Sequence, residues 1–238
     1  MPRAPVDRSV AAAERTLNIL SAFIDCGGVA TLPELEARTG LFKSVICRYL
    51  ISLERHRYAL KRADGKYQLG PAAVRLGKAY EHAFDLSGHV LPVLQMLSDK
   101  IGESASYYIR EKDRRLCLYR IESARSLRVG MRQGSLAPLD DTATGQVFRR
   151  YADARPGRAE GGAQAVLTSS INVGGDEISS VSAPVFGADD RLAGALTVSG
   201  PMSRFDPRTN AKARSLLLRA AAELSERFGA AAADSTDR

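Results

Sequence analysis

Apolar residues recur at helical spacing through residues 8–25, RSVAAAERTLNILSAFID, where Val10, Leu17, Leu20 and Ile24 mark one helix. Cys26-Gly27-Gly28 stops it, because glycine accepts the left-handed conformation of a helix C-cap. TLPELEARTG predicts a helix of about two turns: Thr31 and Glu34 have capping-box spacing, Pro33 falls in the first turn where no N–H is needed, and Gly40 closes it. LFKSVICRYLISLERHR follows with almost no linker, and Ile46, Leu50 and Leu53 at i, i+4 and i+7 form one stripe for burial. The period then changes. In YALKRADGKYQLG two short alternating runs flank Asp64-Gly65, a tight-hairpin signal. Pro71 opens a further helix, PAAVRLGKAYEHAFDL, and Ser87-Gly88 marks a boundary.

The remainder mixes the two periods. VLPVLQMLSDKIG predicts a helix with a glycine stop, and SASYYIREKDRRLCLYRIES a hairpin turning at Glu111–Arg114. LRVGMRQGS continues as strand and turn, TATGQVFRRYA starts a short helix, and residues 155–165 form a loop rich in glycine, alanine and arginine. ISSVSAPVFGADDRLAGALTVSG predicts strand, turn and strand; PRTNAKARSLLLRAAAELSERFG predicts a closing amphipathic helix, with a frayed tail after Gly229. The expectation is an α+β protein in three parts. Residues 1–70 form a winged helix-turn-helix domain, 71–88 a linker helix, and 89–238 an α/β domain.

The 238 residues are 45% hydrophobic and 26% charged, a globular composition with volume for a real core. No apolar run approaches the ~20 residues of a membrane-spanning helix, and the polar start lacks a signal peptide's apolar stretch, so a cytoplasmic protein is expected. Cys26, Cys47 and Cys117 form no CxxC pair, and His56, His82 and His89 have no metal-ligand spacing; neither a disulfide framework, a metal nor a cofactor is expected. The net charge of +7 is concentrated. Residues 42–70 carry Lys43, Arg48, Arg55, Arg57, Lys61, Arg62 and Lys66 against Glu54 and Asp64, which leaves the rest of the chain close to balanced.

Three helices followed by a basic hairpin have the order of a winged helix-turn-helix, whose second helix projects into the DNA major groove. If Ile46, Leu50 and Leu53 face inward, Lys43, Ser44, Cys47 and Arg48 face outward. Lys43 and Ser44 sit at the helix N-terminus, where free N–H groups and the dipole favour a phosphate. Arg48, one turn on, has the reach for a guanine edge. Arg62 and Lys66 flank the hairpin tip, suited to phosphate or the minor groove. Each basic residue taken singly is also an ordinary solvated side chain, and a trihelical core with a wing also serves protein–protein contacts. The order of elements and the charge concentration favour DNA.

The stretch RTLNILSAFIDCGGVATLPELEARTGLFKSVICRYLISLERHRYALKRADGKYQLGPAAVRLG resembles the N-terminal domain of IclR-family transcriptional regulators. IGESASYYIREKDRRLCLYRIES, LRVGMRQGSLAPLDDTATGQV and SAPVFGADDRLAGALTVSGPMSRF are similar, in order, to blocks of that family's GAF-like effector domain, so the resemblance covers most of residues 9–228. It implies a homodimer or homotetramer that binds double-stranded operator DNA as a pair of winged helices, most often as a repressor, and is modulated by a small organic or aromatic acid. Lys43 to Leu53 takes the place of the recognition helix, and Thr31, Lys43, Ser44, Arg48, Arg62 and Lys66 take DNA-facing places. Two departures stand out. The family's Lys-Ser-Thr-Val-His-Arg run reads Lys43-Ser44-Val45-Ile46-Cys47-Arg48 here, so Val45 and Cys47 replace polar contacts, and Val45 is suited to a thymine methyl. Between Val147 and Asp176 a glycine-rich stretch stands where the family has a longer helical segment, which implies a more open pocket or the loss of effector control.

GSLAPLDDTATG places Asp140, Asp141, Thr142 and Gly145 at a loop-to-helix junction whose free N–H groups suit a carboxylate. Ser180 and Ser182, like Thr197 and Ser199, alternate along strands and so share a sheet face. With the family's effector regions falling on the same segments, Thr142, Gly145, Ser182, Thr197 and Ser199 are effector candidates, with Arg132 as a partner for an acid. The bland alternative stands beside each: Asp140 and Thr142 are ordinary capping residues, hydroxyls on a sheet need no ligand, and Arg132 serves equally in a surface ion pair. Tyr107 and Tyr108 point to opposite faces. No GxSxG, Walker or Rossmann fingerprint occurs, so no enzyme is expected. The alternative function is an effector-independent or protein-interaction regulator.

Overall fold

The computed structural model describes residues 10–84, 86–127, 129–152, 166–173, 176–188 and 191–230. Residues 155–165 and the tail beyond 230, read above as loop and frayed end, lie outside the described residues. The chain divides into two compact units, residues 1–84 and 85–238.

The first unit carries helices α1 (Ala11–Asp25), α2 (Leu32–Thr39), α3 (Lys43–Arg55) and α4 (Pro71–Phe84), with strands β1 (Val29–Ala30), β2 (Ala59–Lys61) and β3 (Tyr67–Leu69). Each predicted stop works as expected: Gly27, Gly28 and Gly40 all take positive φ. Thr31 closes a full capping box, its backbone N–H donating to the Glu34 carboxylate at 2.7 Å while its hydroxyl accepts from the Glu34 N–H at 3.3 Å. Ile19, Phe23, Leu35, Ile46, Leu50 and Leu53 meet in one core, so three helices bury one stripe each. The hairpin of β2 and β3 turns through Arg62–Lys66, closed by Arg62 N–H to the Lys66 carbonyl at 2.8 Å with Gly65 at φ 78°. Unanticipated is the two-residue β1, which adds to β3 as an outer strand and ties the α1–α2 connection to the hairpin.

The second unit is a six-stranded sheet in the order β6-β5-β4-β9-β8-β7, every pair antiparallel. Its strands are β4 (Ser104–Glu111), β5 (Arg114–Ile121), β6 (Leu136–Pro138), β7 (Leu167–Val173), β8 (Asp176–Phe186) and β9 (Leu192–Pro201), with helices α5 (Leu86–Ile101), α6 (Ala143–Arg150) and α7 (Pro207–Arg227). Alternation gives the sheet two different faces. Ala105, Tyr107, Tyr119, Val181, Ala183, Val185, Leu196 and Val198 pack against Val90, Leu94 and Leu97 of α5 and Leu217, Ala221 and Leu224 of α7. On the other face Tyr108, Cys117 and Ala195 pack under Val147 and Phe148 of α6, beside Tyr151 and Phe186. Tyr107 and Tyr108 do point opposite ways.

Three expectations are corrected. Ser87 and Gly88 lie in the first turn of α5, which starts at Leu86 rather than near Val90. The LRVGMRQGS segment contributes no strand among its described residues; the strand begins only at Leu136. Strand β7, whose start follows the glycine-rich stretch, was not anticipated.

The hairpin's base depends on one glycine. Gly70 is buried, its N–H donates to the Tyr58 carbonyl at 2.8 Å, and a Cβ there would overlap the Arg57 backbone carbonyl, which is not a flexible group. Gly70→Ala is expected to destabilise the first unit by about 2–4 kcal/mol. Urea melts of the full chain followed by circular dichroism measure it, and a loss under about 0.5 kcal/mol contradicts the contact.

Candidate functional site

The outward face of α3 forms because its inward face is fully used. Ile46, Leu50 and Leu53 are 0–3% exposed, and the helix rotates about 100° per residue, so Lys43, Ser44 and Arg48 are left exposed and Val45 and Cys47 half-buried at the edges. Phe42 precedes the helix with no side-chain cap and is 76% exposed. Lys43 leans back 3.5 Å from the Glu36 carboxylate, an exposed pair that gives way to a phosphate at little cost. At the hairpin, Arg62 pairs with Asp64 at 3.3 Å and donates to the Gln68 side-chain oxygen at 3.3 Å, while Lys66 is exposed. Thr31 is committed to its capping box, and the hydrogen bond from its N–H holds the Glu34 carboxyl below the usual carboxylate range. Helix, hairpin and charge thus share the first unit; Phe42 is the residue that sequence reasoning passed over. Its signal was a large apolar side chain just outside the helical stripe.

In the second unit the expected effector residues come together on the α6-covered face of the sheet, but they are occupied with one another. The Thr144 and Thr197 hydroxyls lie 2.8 Å apart, those of Thr197 and Ser182 2.9 Å, and those of Ser169 and Ser180 3.0 Å. The N–H of Ala143 at the start of α6 donates to Ser169 Oγ at 2.7 Å, so that helix terminus is satisfied by the chain itself. Ser199 is buried and registered between Ser104 and Ser180. Gly145 has no room for a side chain: a Cβ there would run into the Asp140 backbone. Arg132 stands apart, exposed in a turn where its carbonyl accepts from Ser135 N–H at 3.2 Å.

Thr142 caps α6 and belongs to a charged cluster. Its hydroxyl accepts from Gly145 N–H at 3.2 Å and from the Arg115 guanidinium, and donates to the Asp140 carboxylate. Arg115, 5% exposed, also donates to both oxygens of Asp140 at 2.8 and 3.3 Å. Burial pushes the Asp140 carboxyl up, but the hydrogen bond from Thr142 and the Arg115 charge outweigh it and hold the group below its ordinary value. Among the described residues, no cluster of three or more His, Cys, Asp or Glu is placed to hold a metal ion, and no helix is long and apolar enough to cross a membrane.

Comparison with known proteins gives two matching family models, the IclR helix-turn-helix domain over residues 12–63 and the bacterial transcriptional regulator IclR C-terminal domain over residues 78–158. The HTH-type transcriptional regulator KipR of Bacillus subtilis is 27% identical over 109 residues, 46% of this chain and 44% of KipR, so the chain spans less than half of that relative. The HTH-type transcriptional regulator BhcR of Paracoccus denitrificans is 25% identical over 248 aligned positions, 93% of this chain and 88% of BhcR. Among solved structures, an IclR homologue from Microbacterium hydrocarbonoxydans, crystallised with 4-hydroxybenzoate, superposes with a TM-score of 0.76 over 92% of this chain and 99% of that one, at 16% identity.

Asp140→Asn leaves the Arg115 charge without its counter-ion. The expected cost is about 2 kcal/mol, below that of a fully buried broken pair because the Asp140 side chain is 33% exposed. A carboxyl held low in the folded state stabilises above its unfolded value of 3.8 and loses that contribution as pH falls through the folded one. Wild-type stability should therefore fall more steeply than that of Asp140→Asn on acidification below about pH 4, measured by thermal melts across pH. Parallel acid limbs contradict the pairing.

Proposed function

This chain belongs to the IclR family of transcriptional regulators, and from that premise we propose that it is a repressor working as a homodimer or homotetramer, with α3 read into the major groove of operator DNA and a small organic or aromatic acid as effector of the second unit. The observation that carries the DNA reading is the division of α3 into a sealed apolar stripe and an open face bearing Lys43, Ser44 and Arg48. Lys43 and Ser44 meet phosphate at the helix N-terminus, Arg48 a guanine edge, Val45 and Cys47 the groove wall, and Arg62, Lys66 and Thr31 the flanking backbone. The action is binding rather than turnover, at the chromosome in the cytoplasm.

Self-association has its own support. Leu17 and Ile24 are 57% and 58% exposed, one heptad apart along α1, and Val10 at its N-cap, a heptad earlier, is 66% exposed, so this helix carries a second apolar stripe besides the one in the core. Two copies joined there present two α3 helices to half-sites about one turn of DNA apart or a multiple of that. Ligand control enters as a population shift: an acid that binds one arrangement of the units better favours it and changes half-site spacing. The support for an acid is the 4-hydroxybenzoate in the Microbacterium homologue. The mutual hydrogen bonding of Ser182, Thr197 and Thr144 favours the second reading, in which the domain regulates without a ligand.

DNA fragments selected by the full chain from genomic DNA supply the test. Arg48→Ala is expected to weaken binding by about 1–3 kcal/mol and relax preference at one base pair, and Lys43→Ala to weaken all fragments alike and flatten the logarithmic salt slope by about one. Fluorescence anisotropy across salt measures both. Unchanged binding by the double variant overturns the DNA reading in favour of a protein-interaction role.

A further inference from the structure

Two guanidinium groups are buried on the α6-covered face of the sheet, and among the described residues only one has a counter-ion. Arg115 is matched by Asp140, although its Nε–H, like that of Arg120, is buried without a partner. Arg120 is 7% exposed; its Nη1 donates to Ser106 Oγ at 2.8 Å, its Nη2 to the Val129 carbonyl at 2.9 Å, and its Nε–H, equally buried, has no partner. No carboxylate pairs with it among the described residues. The ionisable groups that flank it, Tyr108 and Cys117, are raised by burial and stay protonated at neutral pH, so neither supplies a negative charge. A buried cation with no counter-ion is unfavourable for the free protein, and uncompensated buried charges cluster at functional sites.

The bulge between Tyr107 and Tyr108 makes this grouping possible. Ser106 registers with Arg120, but Tyr108 registers with Cys117, so one residue of β5 is unpaired and Arg120 shares a face with Cys117 and Arg115 despite the odd spacing. Val147 and Phe148 of α6, with Tyr151, pack on Tyr108 and Cys117 of this face and form its apolar cover.

We propose that Arg120 anchors the carboxylate of a small organic anion, which takes the empty Nε–H and the Nη2–H in place of the Val129 carbonyl, with its apolar body toward the wall below α6. The side edge of a guanidinium offers these two donors in parallel, the geometry a carboxylate fills with both oxygens and a single carbonyl does not. The proposal rests on the effector reading above and names its anchor: the buried Arg120, where the exposed Arg132 was expected.

The probes are acetate, benzoate and 4-hydroxybenzoate, each set against its uncharged amide. They are titrated into the full chain by calorimetry and by thermal melt. The expected result is that at least one acid binds and raises the melting temperature while its amide does not. Arg120→Met is expected to weaken that acid about tenfold or more and Arg120→Lys, which keeps the charge and loses the fork, by less; Arg132→Met should bind as wild type. The unliganded Arg120→Met protein should melt no lower than wild type, because an uncompensated charge has been removed. Should Arg120→Met not fold, Arg120→Lys decides: unchanged acid affinity overturns the anchor. It is equally overturned if no acid binds the wild type, or if binding survives in Arg120→Met. Anisotropy on selected DNA separates the two levels. An acid that releases DNA but ignores Arg120 leaves the effector reading standing without this anchor, and one that binds Arg120 without changing DNA affinity leaves the anchor without the effector reading.

Discussion

A helix can offer one face to a partner only while the opposite face is held fast, and the seating of Ile46, Leu50 and Leu53 is that hold. Each of these side chains contributes about 1.5–3 kcal/mol on burial, far more than the exposed pair of Lys43 with Glu36 contributes. The side that packs therefore fixes the side that reads. The cap at Thr31, the left-handed Gly40 and the immediate start of α3 set the turn between the two helices, and the hairpin is tied to the same body through β1 and Gly70. Rigidity suits a helix-turn-helix domain, because side chains that read base edges lose their reach if the helix behind them tilts.

The second unit applies alternation to a different end. One face of its sheet is apolar and closed by α5 and α7; the other is lined with hydroxyls and two guanidinium groups. Most of that polarity is satisfied internally, as burial demands. The hydroxyl row beneath α6 and the Arg115–Asp140–Thr142 cluster hold α6 and its preceding loop on the sheet. What is left over is the charge of Arg120, which has no counter-ion among the described residues where Arg115 has Asp140.

Much of this was legible because it rests on local rules. The capping box at Thr31 and Glu34, the stripe on α3, the hairpin at Asp64-Gly65 and the turn between β4 and β5 need only neighbours a few residues away. What was not legible depends on distant partners. Strand β1 has two residues, too few to show a period, and exists because β3 comes alongside it. LRVGMRQGS alternates like a strand, but its described residues form turn and coil, with Gly134 N–H bonded to the Cys117 carbonyl instead of a ladder. The arginines of RRLCLYR look like a solvated edge; only the fold brings Asp140 to Arg115 and buries Arg120, and the bulge that groups them breaks the alternation a sequence reader relies on. Gly145 and Thr142 stand at a capping junction, which has the same composition as an anion site; their contacts with Asp140 and Arg115 come only with the fold.

The central claim is that α3 occupies the major groove, and protection of guanine from dimethyl sulfate on a selected DNA fragment tests it most directly, since methylation at guanine N7 reports the major groove and at adenine N3 the minor groove. The account predicts guanine N7 protection in two patches, centred about 10 base pairs or a multiple of that apart, with the protection lost at one guanine per patch in Arg48→Ala. Protection confined to adenine N3, or a bound fragment with every guanine N7 still reactive, would contradict it.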